Sequence, residues 1–210
     1  LRGAEDAAAV FVVGAAALIL QLAITVPLRL SNGDTVLGAL VFYFSFFTIL
    51  TNLALVMFYA SEIWPRGWLA WFRSPVTRGM MAGAITLVMV FYHVVLAETW
   101  DPKGLGLVAD TALHYVTPVL YVLWWIGGMR HGVLKWTDVP AMLLPPTIYL
   151  VYAMVRGALI DEYPYPILEA NRIGYGAVAV NVLVVLLGLT ALCLGVVAID
   201  RALASLRPWR

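Results

Sequence analysis

The stretch YGAVAVNVLVVLLGLTALCLGVVAI, residues 175–199, contains no charged residue. As an α-helix rising about 1.5 Å per residue, it is longer than the roughly 30 Å hydrocarbon layer of a bilayer. Hydrophobic residues make up 63% of the chain and charged residues 12%, and the mean hydropathy is +0.91. A soluble domain has about a quarter of its residues charged. The composition therefore indicates an integral membrane protein, and the net charge of +1 gives no indication of nucleic-acid binding.

Five further apolar segments, separated by loops with turn signals such as RLSNGD and WDPKGLG, have similar lengths. We therefore expect an all-α integral membrane protein, a bundle of six transmembrane helices that forms a single domain over residues 1–210. The expected spans are at about 7–28, 35–59, 77–97, 109–129, 138–159 and 175–199.

Basic residues predict the orientation of the bundle. Nine of the 13 Lys and Arg residues lie at the two termini or in the second and fourth loops, and four lie on the other side. The positive-inside rule then places both termini in the cytoplasm. Short loops between Ala-, Val- and Leu-rich spans favour a bacterial inner membrane.

The second expected span contains FSFFTILTN, residues 44–52, whose polar side chains share about a third of the helix circumference. They are Ser45, Thr48, Thr51 and Asn52. A hydroxyl in a membrane helix often bonds to a carbonyl of its own helix, so a lone threonine has little meaning. Four polar residues on one face favour a site, and Asn52 needs a partner across the bundle.

The fourth expected span places Asp110 one turn before His114. Histidine can take up and return a proton near neutral pH, and Asp110 is expected either to orient it or to lie in the headgroup region. A structural hydrogen bond between helices is the alternative role for His114. His93 is a second candidate, whereas His131 follows Arg130 and is expected to be a positive-inside surface residue.

No metal site or cofactor is expected, because the three histidines have neither Glu nor Cys at ligand spacing. The stretch YPYPILEAN, residues 163–171, has two prolines within three residues and is expected to form an ordered extended cap. Arg156 lies one turn before this acidic loop, where Asp161, Glu162 or Glu169 can pair with it.

FFTILTN, ALHYVTP and YPYPILE resemble, in order and approximate spacing, the androgen-induced and androgen-dependent membrane proteins, and in particular their small bacterial counterparts. The animal members are threonine hydrolases that cleave fatty acid esters of hydroxy fatty acids. The resemblance implies that Thr48 is the nucleophile and His114 its base, and it supports Glu169 at the mouth of the site, where Arg156 is also expected from its position before the acidic loop. Asp or Asn follows the threonine by three residues in the animal proteins, where this chain has Thr51.

On this reading Thr51, Asn52 or Ser45 donates a hydrogen bond to the oxyanion, with Asp110 and His93 as further supporting residues. The substrate is a membrane lipid or lipid-like ester. Its acyl arms are expected among Phe42, Phe44, Tyr121 and Trp125. Two other functions stay open, a non-catalytic lipid or small-molecule binder or transporter, and a structural protein without a cavity.

One geometric difficulty accompanies the pairing of Thr48 with His114. Counted at about 1.5 Å per residue from the outer ends of the expected spans, Thr48 lies about 18 Å deep and His114 only about 8 Å. The two side chains meet only if the second helix projects above the bilayer or the fourth begins near Gly104.

Overall fold

The computed structural model of the protein describes residues 4–99 and 101–206, and all regular secondary structure in these ranges is helical. Two π-helical turns, Tyr92–Leu96 and Ala112–Val116, extend α4 and join α5 to α6. The α-helices are α1 (Ala4–Ser31), α2 (Val36–Tyr43), α3 (Phe47–Ile63), α4 (Pro75–Phe91), α5 (Leu105–Thr111), α6 (Thr117–Gly128), α7 (Val139–Ile160) and α8 (Ala170–Leu206).

Among the residues that the structure describes, five helical segments are long and apolar enough to cross a membrane, and α2 with α3 makes a sixth if this bent pair is one span. The expectation of an all-α membrane protein is therefore confirmed. The five segments are Glu5–Ser31, Pro75–Leu96, Leu105–Gly128, Trp136–Ile160 and Ala170–Leu206.

The segment expected as one span at 35–59 is not a single continuous helix, because α2 and α3 meet at an angle of 79°. The break contains neither Gly nor Pro, and Phe46 is extended with φ −88° and ψ 131°. Side chains satisfy the backbone there. Ser45 Oγ donates to the Phe42 carbonyl at 2.6 Å, and Tyr149 Oη of α7 donates to the Ser45 carbonyl at 2.9 Å. A distant tyrosine thus supplies a bond that a continuous helix would have made internally.

Helix α4 lies at the centre of the bundle and packs against α3, α6, α7 and α8. Two glycines permit this close approach. A Cβ at Gly79 would lie 2.8 Å from Leu134 Cδ1, and one at Gly83 would lie 3.1 Å from Cys193 Sγ. Small residues at helix contacts are a common means of association in membranes, where backbones pack closely.

The segment 161–169 between α7 and α8, here called the cap loop, begins with Asp161 in the left-handed region at φ 56°. Glu162 pairs with Arg156 and, at 2.8 Å, with Arg29 at the end of α1. The ring of Tyr163 lies directly on Gly157, where a Cβ would overlap it. These contacts attach the start of the cap loop to both α1 and α7.

At the opposite end of the bundle, the expectation that His131 is a surface residue is wrong. His131 is 5% exposed, and its Nδ1 lies 3.1 Å from Asp200 Oδ1 of α8. The N–H groups of Gly132 and Leu134 donate to Asp200 Oδ2 at 3.0 and 2.9 Å. Asp200 therefore holds the α6–α7 connection against the last helix. Because this carboxylate is buried, its partner His131 is buried with it.

Candidate active site

Thr48 lies in the first turn of α3, directly after the break. Because α2 has ended, the carbonyls that would accept from the first N–H groups of α3 are displaced, and the bond from Leu50 N–H to the Phe46 carbonyl, 3.1 Å long, begins the helical ladder. The break therefore presents a threonine hydroxyl together with the N–H groups of a helix N-terminus inside the bundle.

The structure brings Thr48 and His114 together, with Thr48 Oγ1 3.4 Å from His114 Nε2. Two features remove the expected difference in depth. The fourth span begins at Leu105, four residues earlier than expected, which adds about 6 Å above His114. The 79° bend also shortens the path from the end of the second span to Thr48.

His114 sits within the π-helical turn Ala112–Val116, and such turns re-aim side chains and are frequent at functional sites. Its Nδ1 lies 3.0 Å from the Asp110 carbonyl and 3.2 Å from Asp110 Oδ1. Two acceptors on that side assign the ring proton to Nδ1. Nε2 is then the unprotonated nitrogen, and it faces the Thr48 hydroxyl.

Tyr92 holds the other components of this arrangement. Its hydroxyl donates to Asp110 Oδ2, and its ring stacks on His114 with centroids 3.9 Å apart and planes 17° apart. The Thr48 hydroxyl, the His114 imidazole and the Asp110 carboxylate thus lie in series, with 3.4 Å from Thr48 Oγ1 to Nε2 and 3.2 Å from Nδ1 to Asp110 Oδ1, the order of groups that activates a hydroxyl. His93 lies outside this series, because its ring is exposed and its Nδ1 is 3.1 Å from the hydroxyl of Tyr115.

The polar residues near Thr48 have structural partners. Asn52 Nδ2 donates to the Thr48 carbonyl at 2.9 Å and to the Leu113 carbonyl at 3.1 Å, while Asn52 Oδ1 accepts from Thr117. The expected partner of Asn52 across the bundle is therefore confirmed. Thr51 Oγ1 donates to its own helix at the Phe47 carbonyl, 2.8 Å away.

These hydrogen bonds correct the expectation for the oxyanion donors. Ser45, Thr51 and Asn52 have their side-chain protons directed at backbone carbonyls, so none of the three points a free donor at the Thr48 hydroxyl. The partial positive charge at the start of α3 is the alternative source of stabilisation.

An apolar cavity of about 60 Å³ begins at Thr48 and His114. Apolar side chains of α4, α7, α8 and the cap loop form much of its wall, and Tyr92, Tyr149 and Tyr165 are its tyrosines. A second space of about 220 Å³ lies beyond Phe47 and Tyr149, which line both. An ester group at Thr48 would thus have apolar space for its chains on the α7 and α8 side.

This location corrects the expectation for the acyl arms. Tyr121 and Trp125 are 0% and 4% exposed in the core against α4, and they do not line the cavity. Phe42 lies under the guanidinium of Arg29, 4.1 Å from ring centroid to carbon, and Phe44 is exposed. The sequence placed His114 on the correct face of its helix. The π-helical turn at His114 and the break before Thr48 nevertheless direct the open side of the site toward α7 and α8.

Tyr165 of the cap loop is a site residue that the sequence analysis missed. Its hydroxyl accepts a hydrogen bond from the Thr48 N–H at 3.4 Å, and its ring packs edge-on against Phe46 and Phe91. Burial raises the pKa of the Tyr165 phenol, while hydrogen bonds from Thr48 and from the Phe47 N–H offset part of the rise. Its place within YPYPILE, the stretch that resembles the animal loop, was the available signal.

Arg156 and Glu169 do not line the cavity, contrary to their expected place at its mouth. Arg156 is 8% exposed and pairs with Glu162, and Glu169 pairs with Arg172. Both ion pairs hold the cap loop that carries Tyr165. They therefore act on the site through the position of that loop.

Within residues 4–99 and 101–206, no three His, Cys, Asp or Glu side chains are grouped so that they could hold a metal ion. Comparisons of the chain with protein-family models, with curated proteins and with solved structures found no match. The site itself, a threonine–histidine–aspartate series beside an apolar cavity in a membrane protein, therefore carries the functional argument.

Proposed function

We propose that the protein is an intramembrane lipid-ester hydrolase with Thr48 as nucleophile and His114 as general base. The observation that carries the proposal is the 3.4 Å approach of Thr48 Oγ1 to Nε2 of His114, at the start of an apolar cavity. Fatty acid esters of hydroxy fatty acids are the substrate class that the sequence resemblance suggests.

In the acylation step, Thr48 Oγ attacks the ester carbonyl carbon while its proton passes to His114 Nε2. The carbonyl oxygen becomes an oxyanion, and the positive end of α3 lies beside it, where negative charge is favoured. The carbon–oxygen bond to the leaving group then breaks, and His114 returns the proton to the departing alkoxide. Asp110 stabilises the imidazolium that exists between the two transfers.

Water completes the reaction by the same route. His114 Nε2 accepts a proton from a water molecule as that water attacks the acyl-threonine carbonyl. The bond to Thr48 Oγ then breaks, and the proton goes to the threonine oxygen. The products are a free fatty acid and, from the first step, a hydroxy lipid. Apolar walls suit the release of both into the membrane.

Covalent labelling with a fluorophosphonate, followed by peptide mapping of the purified protein in detergent, tests this proposal. We expect one adduct at Thr48, absent from Thr48→Ala and from His114→Gln. Thr86→Ala is the matched control, because Thr86 is a half-buried hydroxyl that bonds to its own helix at the Ala82 carbonyl. Its labelling should equal that of the parent, and folding is checked by thermal denaturation.

A parent protein that forms no adduct, or that is labelled equally in Thr48→Ala, overturns the hydrolase. The apolar cavity would then favour the second candidate, a non-catalytic membrane protein that binds or transports a lipid or small molecule. Binding of a spin-labelled fatty acid, with its loss on filling the cavity by Val182→Trp, would identify that function.

We further propose that α2 and α3 together form one span, which gives six spans with both termini in the cytoplasm of a bacterium. The distribution of basic residues and the alternation of the other five helices support this orientation. Reporter fusions at residues 66 and 162 should show opposite sides of the membrane, with residue 66 cytoplasmic. The same side for both would contradict this topology.

A further inference from the structure

The hydroxyl of Tyr165 lies where α3 presents its backbone donors. It accepts from the Thr48 N–H at 3.4 Å, and the Phe47 N–H also acts on it as a donor, whereas the Tyr149 hydroxyl gives its one proton to the Ser45 carbonyl. Because backbone N–H groups only donate, they leave the phenolic proton of Tyr165 for an acceptor. Tyr165, Thr48 and His114 line the same cavity, so an ester carbonyl placed at Thr48 would be such an acceptor.

The surroundings of Tyr165 make its O–H a stronger donor. The start of an α-helix carries about half a positive charge, and a hydroxyl that accepts a hydrogen bond becomes a better donor through the chain. Burial nevertheless raises the pKa of the phenol, so the proton stays on the oxygen in the physiological range. The partial positive charge at the start of α3 therefore strengthens the hydrogen bond that the Tyr165 O–H can donate into the cavity.

The cap loop holds Tyr165 in place. Pro164 and Pro166 restrict the backbone on both sides of it. Leu168 is 2% exposed, and Asn181 Nδ2 of α8 donates to the Ile167 carbonyl at 2.9 Å. A donor fixed before the reaction costs no reorganisation when charge develops, which is the condition for effective oxyanion stabilisation.

We infer that Tyr165 is a further catalytic residue, whose hydroxyl donates a hydrogen bond to the ester carbonyl oxygen as Thr48 attacks. This inference rests on the proposed hydrolase. The phenol keeps its proton throughout. As the carbonyl π bond opens, the electron pair moves onto the oxygen that Tyr165 holds, and it returns when the leaving group departs.

Tyr165→Phe tests the inference, because it keeps the ring contacts with Phe46 and Phe91 and removes only the hydroxyl. Hydrolysis of a fluorogenic medium-chain ester in detergent gives kcat and KM separately. We expect kcat to fall about 100- to 1,000-fold, with KM within about threefold of the parent. Tyr163→Phe is the matched control from the same loop, since Tyr163 does not line the cavity, and its kcat should be unchanged.

A kcat of Tyr165→Phe within threefold of the parent overturns the inference, while the nucleophile proposal stands as long as Thr48→Ala is inactive. An inactive parent removes both. If Tyr165→Phe does not fold, fluorotyrosine at position 165 replaces it as the test. Its more acidic phenol should raise kcat, and a lower kcat refutes the donor role.

The pH profile gives an independent readout. Since burial raises the pKa of Tyr165 above its ordinary value of about 10, the donor stays protonated below that pH. We expect kcat to stay level between about pH 8 and pH 10. A fall in this interval that Tyr165→Phe abolishes would show that the phenol ionises too early to serve as the donor.

Discussion

Asp110→Asn is the substitution whose effect follows most directly from the geometry. In a serine-protease triad the same change costs about 10⁴-fold in kcat, because the histidine adopts the wrong tautomer. Here the Asp110 backbone carbonyl, 3.0 Å from His114 Nδ1, keeps the proton on Nδ1 whatever the side chain is. The substitution therefore removes only the interaction between the carboxylate, 3.2 Å away, and the imidazolium.

A hydrogen bond to a charged group contributes about 1.5–3 kcal/mol, and loss of that amount slows a reaction about 10- to 150-fold. We therefore expect Asp110→Asn to reduce the rate of fluorophosphonate labelling at Thr48 by such a factor. Asp101→Asn is the control, because Asp101 is an exposed carboxylate paired with Lys103. Its labelling rate should equal that of the parent.

Two outcomes for Asp110→Asn would refute this reasoning. A loss near 10⁴-fold would mean that the carboxylate alone sets the tautomer, so that the backbone carbonyl does not hold the ring. An unchanged rate would mean that no imidazolium forms next to Asp110, which removes His114 as the base. Melting temperatures of both variants in detergent distinguish these results from unfolding.

Two further substitutions test the packing around the site. Thr117→Val removes the donor to Asn52 Oδ1 and should lower the free energy of unfolding by about 1–2 kcal/mol. Thr190→Val removes a hydrogen bond within its own helix and should lower the free energy of unfolding by less. Equal losses in SDS-titration unfolding would contradict a special role for the interhelical bond. Gly157→Ala places a methyl group in the tyrosine ring of the cap loop and should cost about 1–3 kcal/mol, while Gly176→Ala, with open space around it, should be neutral. An unchanged free energy of unfolding for Gly157→Ala in the same assay would show that the cap loop moves away from the added methyl group without cost.

The apolar runs predicted the membrane helices well, because length and hydropathy are local properties of the chain. The break before Thr48 could not be predicted in this way. Residues 44–46 are Phe, Ser and Phe, with no Pro or Gly to mark a kink. The break depends on a hydrogen bond from Tyr149, 104 positions away from Ser45 in the chain, and a pattern of neighbouring residues does not contain such a contact.

The residues of the candidate site also separate into those that the sequence indicated and those that it did not. Thr48 and His114 were identified from polar stripes and from short motifs, both of which are local. Tyr92 and Tyr165 were missed, because a tyrosine near the end of an apolar segment has the same local pattern whether it anchors the span at the interface or faces a cavity. Tertiary packing, which forms the π-helical turns and the cap loop, decides whether such a tyrosine lies at the interface or faces a cavity.

The buried carboxylate of Asp200 bears on the order in which the chain is assembled in the membrane. Gly132 and Leu134 are synthesised 68 and 66 residues before their acceptor, so their N–H groups have no partner while α7 and the cap loop are made. Insertion of α8 then supplies it. The α6–α7 connection therefore reaches the hydrogen bonding of the finished structure only after residue 200 has been made.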